Sequence, residues 1–147
     1  MFLRLTLAIA HLLALAIGLG AVWGRWRALR KLRDITGLDA VFHADNWYGV
    51  AALLWIVTGL WRAFGGVEKG TDHYLSSHTF LTKMGLFVVV LLLELRPMVT
   101  FIRWRSQMKR GRTPDLTTAP LLARLTIYEL PLLVLMVAMA ATMARGW

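Results

Sequence analysis

The chain has 147 residues, enough for one domain. Of these, 58% are hydrophobic and the mean hydropathy is +0.59, whereas a soluble domain sits nearer about 45–50% apolar, so lipid is the expected solvent. Cysteine is absent, which excludes disulfides, zinc–thiolate sites and iron–sulfur clusters, and the net charge of +9 is placed where it sets membrane topology, so no nucleic-acid partner is expected.

The first apolar segment runs from about 3 to 23, long enough for the roughly 20 residues a spanning helix needs. It is longer than a signal-peptide core and is followed by a basic segment instead of a cleavage site, so it reads as a retained helix. Between residues 5 and 18 its single titratable group is His11, roughly 9–12 Å in from the start of the span at the helical rise of 1.5 Å per residue. Ala10, Ala14 and Gly18 form a row of small residues beside it, and Ala16, Gly20 and Gly24 a second row. Such rows let helix backbones approach closely in a membrane.

The next stretch, GRWRALRKLRDITGLDAVFHAD, holds Arg25, Arg27, Arg30, Lys31 and Arg33. Trp26, Leu29 and Leu32 recur at helical spacing against these cations, the pattern of a short amphipathic helix on an anionic inner leaflet, ended by Gly37. A second span is expected at about 47–64, with Asp45 at its start and Arg62 near its end. The following loop contains only Lys69, with His78 at the mouth of the third span, about 80–102. Lys83 lies about one turn into that span, and Glu94 and Arg96 lie deeper, just before Pro97. The proline frees a carbonyl near residue 93 and predicts a kink. The third loop holds Arg103, Arg105, Lys109, Arg110 and Arg112 and includes the turn-rich stretch SQMKRGRTPDLTTAP; Thr118 is a candidate N-cap and Pro120 suits the first turn of a fourth span, about 120–142.

Lysine and arginine mark the first and third loops as cytoplasmic. The fold class is therefore all-α: a single-domain integral membrane four-helix bundle over 1–147, both termini outside, with a short amphipathic helix in the first cytoplasmic loop. The expected location is the bacterial inner membrane with periplasmic termini. Trp23, Trp26, Trp47, Trp61 and Trp104 read as an interfacial aromatic belt.

Charged groups at membrane depth are costly, so each is a functional candidate. One outer cluster gathers His11, Arg62, His78, Lys83, Met139 and Met143; an inner one gathers Asp45, Glu94, Arg96, Arg124 and Glu129. Glu94 with Arg124, or Arg96 with Glu129, are the natural ion pairs, and a network that only locks helices together is the simplest role for them. For His11 the alternatives are a hydrogen-bonded structural residue or a ligand; the cations Arg62 and Lys83 suit carboxylates such as heme propionates.

The segments HADNWYGVAALLWIVTGLWRAF, FLTKMGLF and RPMVTFIRWR resemble a bacterial family of small four-helix membrane proteins with no assigned chemistry. The layout is also distantly similar to the HemJ-type protoporphyrinogen oxidases and, more loosely, to copper-resistance D-type membrane proteins. His11 and Lys83 fall where the HemJ-type family has a first-helix histidine and a third-helix lysine. ARLTIYELP supplies Arg124, Glu129 and Pro131 for its fourth-helix motif, with Tyr128 where that family has Asn. The resemblance implies heme b with His11 as metal ligand, Arg62, Lys83 and Met143 around the cofactor, Lys83 and Glu129 in catalysis or proton transfer, and a porphyrin substrate. The long basic first loop departs from that family. The other readings are copper or other ion handling through His11 and Met84, Met136, Met139 and Met143, since thioethers suit Cu(I), and a non-catalytic accessory subunit. A homo-oligomer is compatible with each.

Overall fold

The computed structural model describes residues 2–65 and 78–144, without the side chains of Thr79, Met143 and Ala144. Four α-helices, α1 Phe2–Lys31, α2 Leu38–Phe64, α3 His78–Lys109 and α4 Ala119–Ala144, account for nearly all of it. All four are long and apolar enough to cross a membrane, and no strand occurs among the described residues. Their outward faces are greasy: Leu12, Leu13, Leu53, Leu60, Leu92 and Val99 are each about half exposed or more. Such a surface is at rest only in lipid, where a helix also satisfies every backbone polar group internally.

α1 packs along both α2 and α4, and α4 packs on α3, giving the order α2–α1–α4–α3. The α1–α2 contact is close because small residues meet there. A Cβ on Gly18 would lie 3.7 Å from Ala51 Cβ, and one on Gly24 would lie 3.8 Å from Ala44 Cβ. Ala14 is buried in the same seam, as the first small-residue row implies. The second row divides: Gly24 packs, while Ala16 and Gly20 face outward.

The short amphipathic helix expected in the first loop is no separate element. Trp26 and Leu29 lie on the last two turns of α1, which runs unbroken through Arg25 to Lys31, while Leu32 follows its end; all three pack into a cluster with Leu38, Val41, Phe101, Trp104 and Leu122. Tertiary burial, not the lipid surface, takes the apolar side of this segment. Gly37 does not end it either; it closes a 3₁₀ turn, Ile35–Gly37, which leads into α2 well before the expected residue 47. Asp34 caps that turn, accepting the Thr36 amide at 2.9 Å and the Thr36 hydroxyl, and these donors hold its carboxyl below the usual carboxylate range. α3 likewise overshoots its expected end at 102. Trp104, read as part of the aromatic belt, is 2% exposed and donates its Nε1–H to the Asp115 carbonyl at 3.1 Å. Trp23, Trp47 and Trp61 remain about half exposed, as a belt requires.

α3 ends in a Schellman turn. Arg112 N–H donates to the Gln107 carbonyl at 2.9 Å and Gly111 N–H to the Met108 carbonyl at 3.1 Å, with Gly111 at φ +67°. An L-residue at that φ costs about 1–2 kcal/mol. Gly111→Ala is accordingly expected to lower stability by about that amount, measured by equilibrium unfolding in mixed micelles. The first helical hydrogen bond of α4, from Leu122 N–H, goes to the Thr118 carbonyl at 3.0 Å. The Thr118 hydroxyl has no partner among the described residues, so the expected side-chain cap is not made. α3 and α4 continue through Pro97 and Pro131, whose missing N–H groups leave the Leu93 and Ile127 carbonyls without their helical donors.

Candidate functional site

Two polar centres lie at opposite ends of an apolar slab. His11 and Arg25 share one face of α1, about 21 Å apart at 1.5 Å per residue. Val22, Val90, Leu133 and Met136 fill the space between them, with Leu19, Phe87 and Leu130 around. Met136, a candidate copper ligand by residue type, is thereby a packing residue. No group of three or more His, Asp or Glu residues able to hold a metal occurs among the described residues.

The centre nearer the termini is built around His11, which is 8% exposed. α2 presents three residues to it at helical spacing: Trp55, Thr58 and Gly59. Trp55 stacks on the imidazole with centroids 5.2 Å apart and planes 15° from parallel. Glycine at 59 makes room for the ring, since a Cβ there would come within 3.2 Å of His11 Cε1. Thr58 Oγ1 lies 2.9 Å from His11 Nδ1. The same hydroxyl donates its one proton to the Leu54 carbonyl at 2.7 Å. With that proton on the Leu54 carbonyl, the hydroxyl accepts from Nδ1–H, the tautomer that in the neutral ring puts the lone pair on Nε2. Lys83 Nζ stands 5.9 Å from the Trp55 ring, so α3 brings its cation to the same aromatic that stacks on His11. Arg62 is one turn beyond Thr58 on α2 and part-buried. His78 is exposed at the start of α3. The Met143 side chain, Lys69 and Arg145 lie outside the described residues.

The second centre is Arg25. By sequence it falls among the basic charges of the first loop, yet its side chain is fully buried. Its guanidinium grips Glu94 with two bonds, 2.7 and 2.6 Å, and reaches Glu129 at 3.2 Å and Asp45 at 3.2 Å. Its Cζ lies 4.4 Å from the Tyr48 ring centroid and 5.8 Å from that of Phe101. Arg105, also assigned to a loop by sequence, extends the cluster: its Nη2 meets Asp45 Oδ2 and Asn46 Oδ1 at 2.9 Å each and the Phe42 carbonyl at 3.2 Å. Residues from all four helices thus meet on one guanidinium or its neighbour.

This corrects the expected ion pairs. Glu94 does not pair with Arg124, nor Arg96 with Glu129; Arg96 and Arg124 are exposed, and both glutamates turn to Arg25. The inner acidic residues named from sequence are brought together, but around a cation placed elsewhere. A sequence signal for it existed: His11, Ala14, Gly18, Ala21 and Arg25 follow one heptad-like stripe, and the buried members of α1 continue it to Leu29. The two residues expected to share catalysis are separated. Lys83 is beside Trp55, whereas Glu129 is held by the cation that binds Glu94, eleven residues or about 16 Å further along the helix of Lys83.

Among known proteins, a family model described as a predicted membrane protein, DUF2214, matches residues 3–147. No curated protein matches the chain, and no solved structure does.

Proposed function

The chain belongs to the DUF2214 family of predicted membrane proteins, and from the geometry at His11 we propose that it binds heme b in the membrane and acts as an oxidoreductase, with a porphyrinogen as substrate. One observation carries the reading: the Thr58 hydroxyl lies 2.9 Å from His11 Nδ1, the kind of contact by which a second residue orients a metal-ligating imidazole. The residue set fits the group. His11 would hold the iron through an imidazole nitrogen, and Lys83 and Arg62 would supply cations for the propionates. When bound, heme supplies one-electron chemistry.

The chain's own residues then have separable roles. Trp55 and Gly59 hold the imidazole plane, Thr58 would orient the ring toward a bound metal, and Lys83 Nζ would add positive charge beside Trp55. Glu129, tied to Arg25, serves the bundle instead. The basic end, with Arg27, Arg30, Arg103 and Arg110, is proposed to face the cytoplasm of a bacterial inner membrane, which puts His11 toward the periplasm. Copper handling is the weaker reading, since Met136 is spent on packing.

Protein purified in detergent from heme-replete cells is expected to show a Soret band that His11→Ala abolishes. Thr58→Val is expected to retain the fold and weaken heme affinity about 10- to 100-fold, the usual effect of losing an orienting partner. Colourless wild-type protein of normal stability from the same cells overturns the proposal, and a wild-type Soret band that survives His11→Ala overturns the ligand assignment. Porphyrin fluorescence in a deletion strain tests the substrate separately.

A further inference from the structure

The lipid-facing side of α3 carries a groove that neither centre uses. It has a volume of about 440 Å³ and is lined by Val99, Ile102, Arg103, Gln107, Arg110 and Arg112, with Ser106 at its wall. Two features give it a polarity. Arg103 projects from the last regular turns of α3, and the Schellman turn at Gly111 folds the chain back so that Arg110 and Arg112 line the same hollow. Val99 and Ile102, about half exposed, continue it along the helix toward the apolar slab. None of the three arginines makes an ion pair with a described residue, in contrast to Arg25 and Arg105. A second hollow, which shares Val99, Arg103 and Gln107 with it, is lined by Leu95, Arg96, Asp115 and Thr118. There the Asp115 carboxylate accepts the Thr117 amide at 3.0 Å, while Thr118 Oγ1 and one polar atom of Gln107 are buried without partners among the described residues.

We infer that this groove is a binding site for an anionic phospholipid. Three arginines lining one hollow suit a phosphodiester, which accepts several charge-assisted hydrogen bonds. The apolar half of the groove argues for a lipid over a free phosphate, because it runs from the cations into the span along the path of an acyl chain. Basic pockets at the ends of spanning helices are suited to such headgroups. This inference does not depend on heme at His11.

The test uses full-length protein in mixed micelles holding equal amounts of phosphatidylglycerol and phosphatidylcholine, read by native mass spectrometry. Wild-type protein is expected to retain phosphatidylglycerol at least tenfold over phosphatidylcholine. The variant Arg103→Gln/Arg110→Gln/Arg112→Gln is expected to bring the two near parity. Arg27→Gln/Arg30→Gln/Arg33→Gln removes as many charges from the end of α1 and the residues just after it, and is expected to keep the preference. If the triple variant of the groove does not fold, Arg103→Gln alone is expected to cut the preference about threefold. Equal retention of the two lipids by the wild type, equal loss in both triple variants, or full displacement of the lipid by millimolar inorganic phosphate each overturns the inference.

Discussion

Arg25→Met is expected to lower the stability of the bundle by about 3–5 kcal/mol, the usual cost of removing one partner from a buried charge network. The size follows from what is left behind. Asp45, Glu94 and Glu129 all contact this one guanidinium, and among the described residues only Asp45 has a second cation, Arg105. Glu129 has no exposed side-chain surface, so water cannot take the place of the lost donor. Methionine keeps much of the volume and isolates the electrostatic loss. Glu129→Gln supplies the contrast. The cluster holds three carboxylates against two guanidiniums, so neutralising one carboxyl while keeping an acceptor oxygen is expected to cost less than half as much. Both effects are read as shifts in the detergent fraction at which the helices unfold. An Arg25→Met midpoint equal to wild type shows that the network does not hold the helices together.

Trp104→Ala is expected to cost about 3–5 kcal/mol, the range for truncating a buried large aromatic. Trp104 touches Phe101 with centroids 5.7 Å apart, sits in the cluster of Leu29, Leu38, Val41 and Leu122, and ties α3 to the connection before α4 through Asp115. Trp47→Ala and Trp61→Ala, at about half-exposed positions, are expected to cost well under half of that. The same unfolding measurement decides it. Three equal shifts return Trp104 to the interfacial belt and remove the case for a packed core at the basic end.

The differences between expectation and structure share one cause. Hydropathy marks where lipid begins, and the helices do not stop there. α1 and α3 run 30 and 32 residues, about 45–48 Å, past a hydrocarbon core of about 30 Å. Their extra turns bury Leu29, Phe101 and Trp104 against α2 and α4. A charge count that ends the first span at Trp23 therefore assigns Arg25 and Arg105 to loops, although both face inward. Arg25 was legible as the next member of the stripe through His11, Ala14, Gly18 and Ala21; Arg105 was not, because its partner Asp45 is distant in sequence and the register of α2 against α3 is set by packing.

Sequence by itself determined the four spans, the membrane as solvent, the inward face of His11 and the small-residue row on α1 that lets a neighbouring helix approach closely. These follow from local composition and helical period, which need no knowledge of neighbours. Tertiary structure alone decided that Thr58 meets the His11 ring, that Glu94 and Glu129 turn to Arg25, that Lys83 and Glu129 lie at different ends, and that Arg103, Arg110 and Arg112 line one groove. Each of those is a choice among several partners of like charge or polarity. Such a choice is made by which helices lie side by side and at what register, which no single helix encodes.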